Sequence, residues 1–141
     1  MMAILNPYLN FRGEARAALD FYQTVFGGEI IRSTFGEFQV SEDPAEADKI
    51  MHSQLTSPSG FTLMVSDTPN RMDYTPGNNI SVSLSGGAED LDELAGYFTK
   101  LSEGGTVTMP FNTAPWGDSF GMLVDPFGIA WLVNVAGAPA A

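Results

Sequence analysis

Cysteine is absent from the chain, which removes disulfides, zinc-thiolate sites and thiol nucleophiles together. Histidine is nearly absent too, His52 being the only one. Bases are scarce, with six Lys and Arg against seventeen Asp and Glu and a formal net charge of -11. That balance repels phosphate backbones and anionic lipid surfaces, so neither nucleic acid nor membrane is an expected partner, and solubility is its ordinary meaning. No apolar run reaches the roughly 18 residues of a membrane span. The opening stretch has no basic segment ahead of an apolar one, so no leader peptide is expected and the predicted location is the cytoplasm.

What is present is periodic. From Glu14 to Phe26 the residues Ala15, Ala18, Leu19, Tyr22, Val25 and Phe26 form one helical stripe, stopped by Gly27-Gly28. Pro7 to Phe11 alternates like a strand, and Glu29 to Phe35 carries β-branched residues up to Gly36. Two more strands, Lys49 to Thr56 and Phe61 to Ser66, flank the turn residues Pro58-Ser59-Gly60. The second half repeats this plan. A strand with Ile80, Val82 and Leu84 is followed by a helix striped with Leu91, Leu94, Ala95, Phe98 and Leu101 and stopped by Gly104-Gly105. Strands then follow at Thr106 to Phe111, Ser119 to Val124 and Ile129 to Val135, the last two joined by Asp125-Pro126-Phe127-Gly128.

The order β-α-β-β-β therefore occurs twice, an α+β pattern with module 1 at about residues 6–69, a linker at 70–77 and module 2 at about 78–136. A four-stranded sheet cannot bury both its faces alone, so residues 1–141 are expected to act as one domain. Acidic residues cluster at Glu37 to Asp48 and at Glu89 to Glu93. The second cluster opens a helix, where negative charge is favoured. The first is too polar for a core and reads as a solvated loop with one short helix begun by Asp43-Pro44, or as a mobile lid. Residues 137–141 read as a frayed tail.

The doubled unit with its helix-Gly-Gly-strand punctuation resembles the vicinal-oxygen-chelate fold of the glyoxalase/bleomycin resistance/dioxygenase superfamily. Pro7-Tyr8-Leu9, Ala18 to Tyr22, Phe26-Gly27-Gly28, Trp116-Gly117-Asp118 and Asp125 to Trp131, in that order, resemble its PhnB-like branch. The resemblance covers nearly the whole chain and implies two modules forming a cupped mixed sheet with helices on the convex face. PhnB-like proteins are often filed under a demethylubiquinone methyltransferase heading, but no glycine-rich strand-to-helix loop of the nucleotide-cradling kind is present.

With the more apolar side of each strand assigned to the helices, Asn6, Tyr8 and Asn10 face the cup, joined by His52, Gln54 and Thr56, by Thr62, Met64 and Ser66, by Asn79, Ser81 and Ser83, and by Leu132 and Asn134. Superfamily enzymes place His, Gln or Glu metal ligands on the first, fourth, fifth and eighth strands. Carried over, those positions fall near Asn6, Met64, Asn79 and Leu132, none a good ligand for a divalent ion, so no metal and no cofactor is expected. His52 is either a hydrogen-bonded packing residue or a general base or ligand-orienting group. Asp67 is either a rim acid or the start of a turn. Trp116 and Asp118 either mark a cup mouth or close a loop.

Two functions of different class remain. One is a metal-independent protein that binds a small polar or aromatic molecule in a neutral cup. The other is a lyase, isomerase or dioxygenase-type enzyme acting on a small metabolite, with His52 as acid/base or ligand. Edge strands and apolar rims predict a homodimer, with modules paired within one chain or swapped between two.

Overall fold

A computed structural model describes residues 3–39 and 43–137. The chain divides between Pro76 and Gly77 into two compact units. The first contains β1 (Tyr8–Phe11), α1 (Ala15–Phe26), β2 (Glu29–Thr34), a four-residue α2 (Phe35–Phe38), β3 (Ile50–Thr56) and β4 (Thr62–Asp67). The second contains β5 (Val82–Gly86), α3 (Leu91–Ser102), β6 (Thr106–Thr113), β7 (Ser119–Val124) and β8 (Ala130–Val135). Strand order is β1-β4-β3-β2 in one sheet and β5-β8-β7-β6 in the other. In each, the first strand pairs in parallel with the last and the other pairs are antiparallel. The α+β class and the doubled β-α-β-β-β unit are thus borne out.

The repetition extends to the turns. Ser57 and Asp125 each accept from a glycine two residues past a proline, Gly60 and Gly128, and their own N–H groups donate to Phe61 and Ile129. After each helix a glycine stands where a side chain cannot fit. A Cβ at Gly28 would overlap the Thr56 carbonyl oxygen, and one at Gly105 the Val124 carbonyl oxygen. The Gly-Gly pairs therefore let the strand after the helix start against a neighbouring backbone.

Helix α1 buries the six residues of its predicted stripe, each large one contributing about 1.5–3 kcal/mol through removal from water. Glu14 supplies no side-chain cap. Instead Asp67, at the end of β4, accepts from Gly13 N at 2.7 Å and Ala15 N at 3.1 Å, and from Ile50 N at 3.0 Å. One carboxylate thereby joins the helix start to two strands. Asp67 is 4% exposed and is no rim acid.

Helix α3 differs from its expected stripe. Leu94, Phe98 and Leu101 are buried, but Tyr97 joins them while Leu91 is exposed. Tyr97 can turn inward because its hydroxyl donates to Glu93 at 2.6 Å, which satisfies the polar end of the ring.

Three local expectations are corrected. The second strand stops at Thr34, whose hydroxyl accepts from Glu37 N and starts α2 where extended backbone had been expected. The acidic stretch does contribute to the core: Asp43 caps a short 3-10 turn at Pro44–Glu46 as expected, but Glu46 is buried and accepts from Asn70 N at 2.8 Å. The fifth strand begins at Val82, paired with Trp131, so Asn79 and Ser81 precede it; consecutive Asn78 and Asn79 form a bend instead. Residues 40–42 of the acidic stretch and 138–141 of the tail lie outside the described residues.

Candidate functional site

In the first unit α1 packs on β2, β3 and β4, and the helix side of the sheet receives Leu9, Phe11, Ser53, Leu55, Leu63 and Val65, all buried. The alternate residues face the other way. Register sets Tyr8 beside Met64, Met64 beside Gln54 and Gln54 beside Ile31, a row across the whole sheet. One pleat along, Asn10 stands beside Ser66, and His52 beside Ser33.

This helix-free face is organised by side-chain hydrogen bonds. The Tyr8 hydroxyl lies 3.1 Å from His52 Nδ1, with the two rings 5.8 Å apart and tilted by 33°. Tyr8 is on the edge strand and His52 on β3, so the pair reaches across β4 over two strand spacings, about 9–10 Å between chains. A side chain as long as tyrosine is needed for that. Ser66 Oγ donates to Asn10 Oδ1 at 3.3 Å, and Gln54 Nε2 donates to Thr56 Oγ1 at 3.2 Å. His52 and Asn10 are exposed, Tyr8 is 43% exposed, and Gln54 and Met64 are half-buried. Of the other site residue expected in this unit, Asn6 precedes β1 and is half-buried.

The remaining expected residues belong to the second unit. Leu132 and Asn134 alternate with buried Trp131, Val133 and Val135 on β8, and register places Ser83 and Met122 beside Leu132, and Ser85 and Phe120 beside Asn134. Asn79 and Ser81 are exposed ahead of β5. Trp116 is 77% exposed in the β6–β7 loop. Asp118 closes that loop: its backbone carbonyl accepts from Ala114 N, and its carboxylate accepts from Gly137 N at 2.8 Å.

Residues from β2, β6 and β7 were not anticipated on these faces. Ile31 and Ser33 share the face of His52, and Met109, Phe120 and Met122 that of Leu132. In β2 each side of the strand carries one isoleucine, so alternation alone cannot orient it.

A divalent-metal site of the superfamily type does not fit these residues. Register puts Tyr8, rather than Asn6, beside Met64 and Ser83, rather than Asn79, beside Leu132. Phenol, thioether, hydroxyl and alkyl groups cannot replace the water of a hard or borderline ion as imidazole and carboxylate do. Among the described residues, no group of three or more His, Asp or Glu is arranged to hold a metal ion. No described helix is long and apolar enough to cross a membrane.

Residues 4–133 match the model of the Glyoxalase/Bleomycin resistance protein/Dioxygenase superfamily. Protein YjdN of Escherichia coli is 28% identical over 93% of this chain and 94% of its own length. Among solved structures, protein PA1353 from Pseudomonas aeruginosa is 38% identical, with a TM-score of 0.80 over 96% of this chain and 98% of that one. A Bacillus cereus protein described as a putative 3-demethylubiquinone-9 3-methyltransferase, PhnB protein, shares the fold at 24% identity, with a TM-score of 0.69 over 95% of this chain and 100% of that one.

Proposed function

The chain belongs to the Glyoxalase/Bleomycin resistance protein/Dioxygenase superfamily, and within it we propose a PhnB-like small-molecule-binding protein whose binding surface is the helix-free face around Tyr8 and His52. The observation that carries this is the hydrogen bond between those two residues, made in the open. A histidine serving the core would be buried among its partners. This one stands exposed on a sheet face with Asn10, Gln54 and Met64, a mixture of polar anchors and apolar surface suited to a small ligand. The donor set argues against the usual divalent ion, and the proposed mode of action is metal-independent.

Leu132 and Asn134 extend the proposal to the second unit's own helix-free face, with Asn79, Ser81, Trp116 and Asp118 as flanking loop residues. A homodimer in the cytoplasm completes the reading: Val107 and Met109 on edge strand β6 are exposed, as surfaces that a second copy covers. An enzyme is the second reading, favoured by the same pair, since an imidazole hydrogen-bonded to a phenol is an arrangement for moving a proton.

The test compares melting temperature and affinity for a ligand found by screening, in wild type, His52→Ala and Asn10→Ala. His52→Ala should weaken binding about tenfold or more and leave the melting temperature within about 2 °C, since an exposed side chain leaves no cavity. Full affinity in both variants would end the proposal. Loss of turnover of an identified metabolite in His52→Ala would favour the enzyme.

A further inference from the structure

The Tyr8–His52 contact constrains which ring nitrogen is left for a ligand. A neutral imidazole has one N–H and one bare nitrogen, and the bond made by one fixes what the other offers. Tyr8 meets Nδ1. A phenol is a good donor and a poor acceptor, while a bare imidazole nitrogen is a strong acceptor, so the stable arrangement has Tyr8 donating to Nδ1 and the ring hydrogen on Nε2. Among the described residues Nε2 has no hydrogen-bond partner. Beside the pair, the row Tyr8, Met64, Gln54, Ile31 supplies apolar surface, with Ile31 74% exposed.

We infer that Tyr8 is a positioning residue which holds His52 as an Nε2–H donor, and that the face takes a compound with a small apolar body and a hydrogen-bond-accepting oxygen, a carboxylate or a carbonyl. This rests on the proposed binding face and adds the polarity of its anchor. A ligand group offering only N–H donors would meet a donor at His52 and is excluded. Substituting Tyr8 changes specificity through the ring it orients.

Because His52 is the only histidine, its two ring nitrogens can be followed without ambiguity by long-range proton–nitrogen correlation spectroscopy on the whole protein, without a histidine tag. At a pH where the ring is neutral, wild type should show the hydrogen on Nε2 and Nδ1 bare, and Tyr8→Phe should shift the Nδ1 resonance and mix the two forms. Titration with benzoate, and with acetophenone as its uncharged counterpart, should move the Nε2 resonance saturably for at least one of them; benzamidinium should not. Tyr8→Phe should weaken that binding about three- to tenfold, the loss expected for one hydrogen bond. Response to benzoate alone or acetophenone alone identifies the acceptor as anionic or neutral. A ring with its hydrogen on Nδ1 overturns the inference, as does saturable binding of benzamidinium or of neither oxygen compound. A screened ligand that perturbs this face while the ring carries the opposite tautomer would refute the inference alone, whereas one that perturbs only amides elsewhere would refute the binding face itself.

Discussion

Removing the carboxylate of Asp67 should destabilise the chain more than its position at a strand end would suggest. It is nearly inaccessible, at 4% exposed, and accepts from Gly13, Ala15 and Ile50. Hydrogen bonds to a charged group contribute about 1.5–3 kcal/mol each, and a buried donor left alone costs about 1–3 kcal/mol. These terms do not add fully, and the cost of burying the charge offsets part of them. Asp67→Ala orphans three backbone N–H groups, so a loss of about 3–5 kcal/mol is expected. Asp67→Asn keeps Oδ1 for Gly13 and Ala15 but turns an amide NH2 toward Ile50 N, where two donors then meet; a loss of about 2–3 kcal/mol is expected. At about 2–4 °C per kcal/mol for a chain of this size, Asp67→Ala should lower the melting temperature by about 6–20 °C. Urea unfolding and calorimetry read both variants, and hydrogen exchange should quicken at Ala15 and Ile50. If both stay within 1 kcal/mol of wild type, the claim that Asp67 joins the helix start to the sheet is refuted.

Gly28→Ala should cost more than about 3 kcal/mol, because the new methyl group meets the Thr56 backbone, whereas Gly60→Ala, with open space but φ +92°, should cost only about 1–2 kcal/mol; equal losses by urea denaturation would contradict this. Trp131→Phe removes a buried indole and the donor 2.8 Å from Asp125 Oδ2, so a loss of about 2–3 kcal/mol is expected in the same assay, and a neutral effect would refute the assigned bond. Sedimentation should show a species near twice the 15.1 kDa chain mass; a monomer at high micromolar concentration would oppose the dimer. Elemental analysis of protein purified without chelator should find well below one transition-metal ion per chain, and a near-stoichiometric ion held by residues of these faces would promote the enzyme reading.

The doubled unit was legible because its punctuation is strong: apolar stripes ending in Gly-Gly, and turns with Pro and Gly at matching places. Faces were legible where one side of a strand is plainly more apolar, as with Leu63 and Val65 on β4 or Trp131, Val133 and Val135 on β8. On β7 the same rule misleads. Phe120 and Met122 face away from α3, while Gly121 faces toward it because Phe98 and Phe111 already fill that space, so that a Cβ would lie 2.7 Å from the Phe98 ring. Nothing within the strand signals this. Tyr97 and Glu46 were hidden for a related reason: their burial depends on particular partners, Glu93 and the backbone at Asn70 among them, that composition does not reveal. Tyr8 and His52 could each be assigned to a face, but their meeting across β4 depends on register and side-chain length together.

The most direct test of the central claim is where a bound ligand lies. A crystal structure of the protein with a co-purified or screened small molecule should show it on the first unit's helix-free face, in contact with Tyr8 and His52 and within hydrogen-bond distance of Nε2. A ligand bound with its affinity intact but touching neither residue would contradict the account.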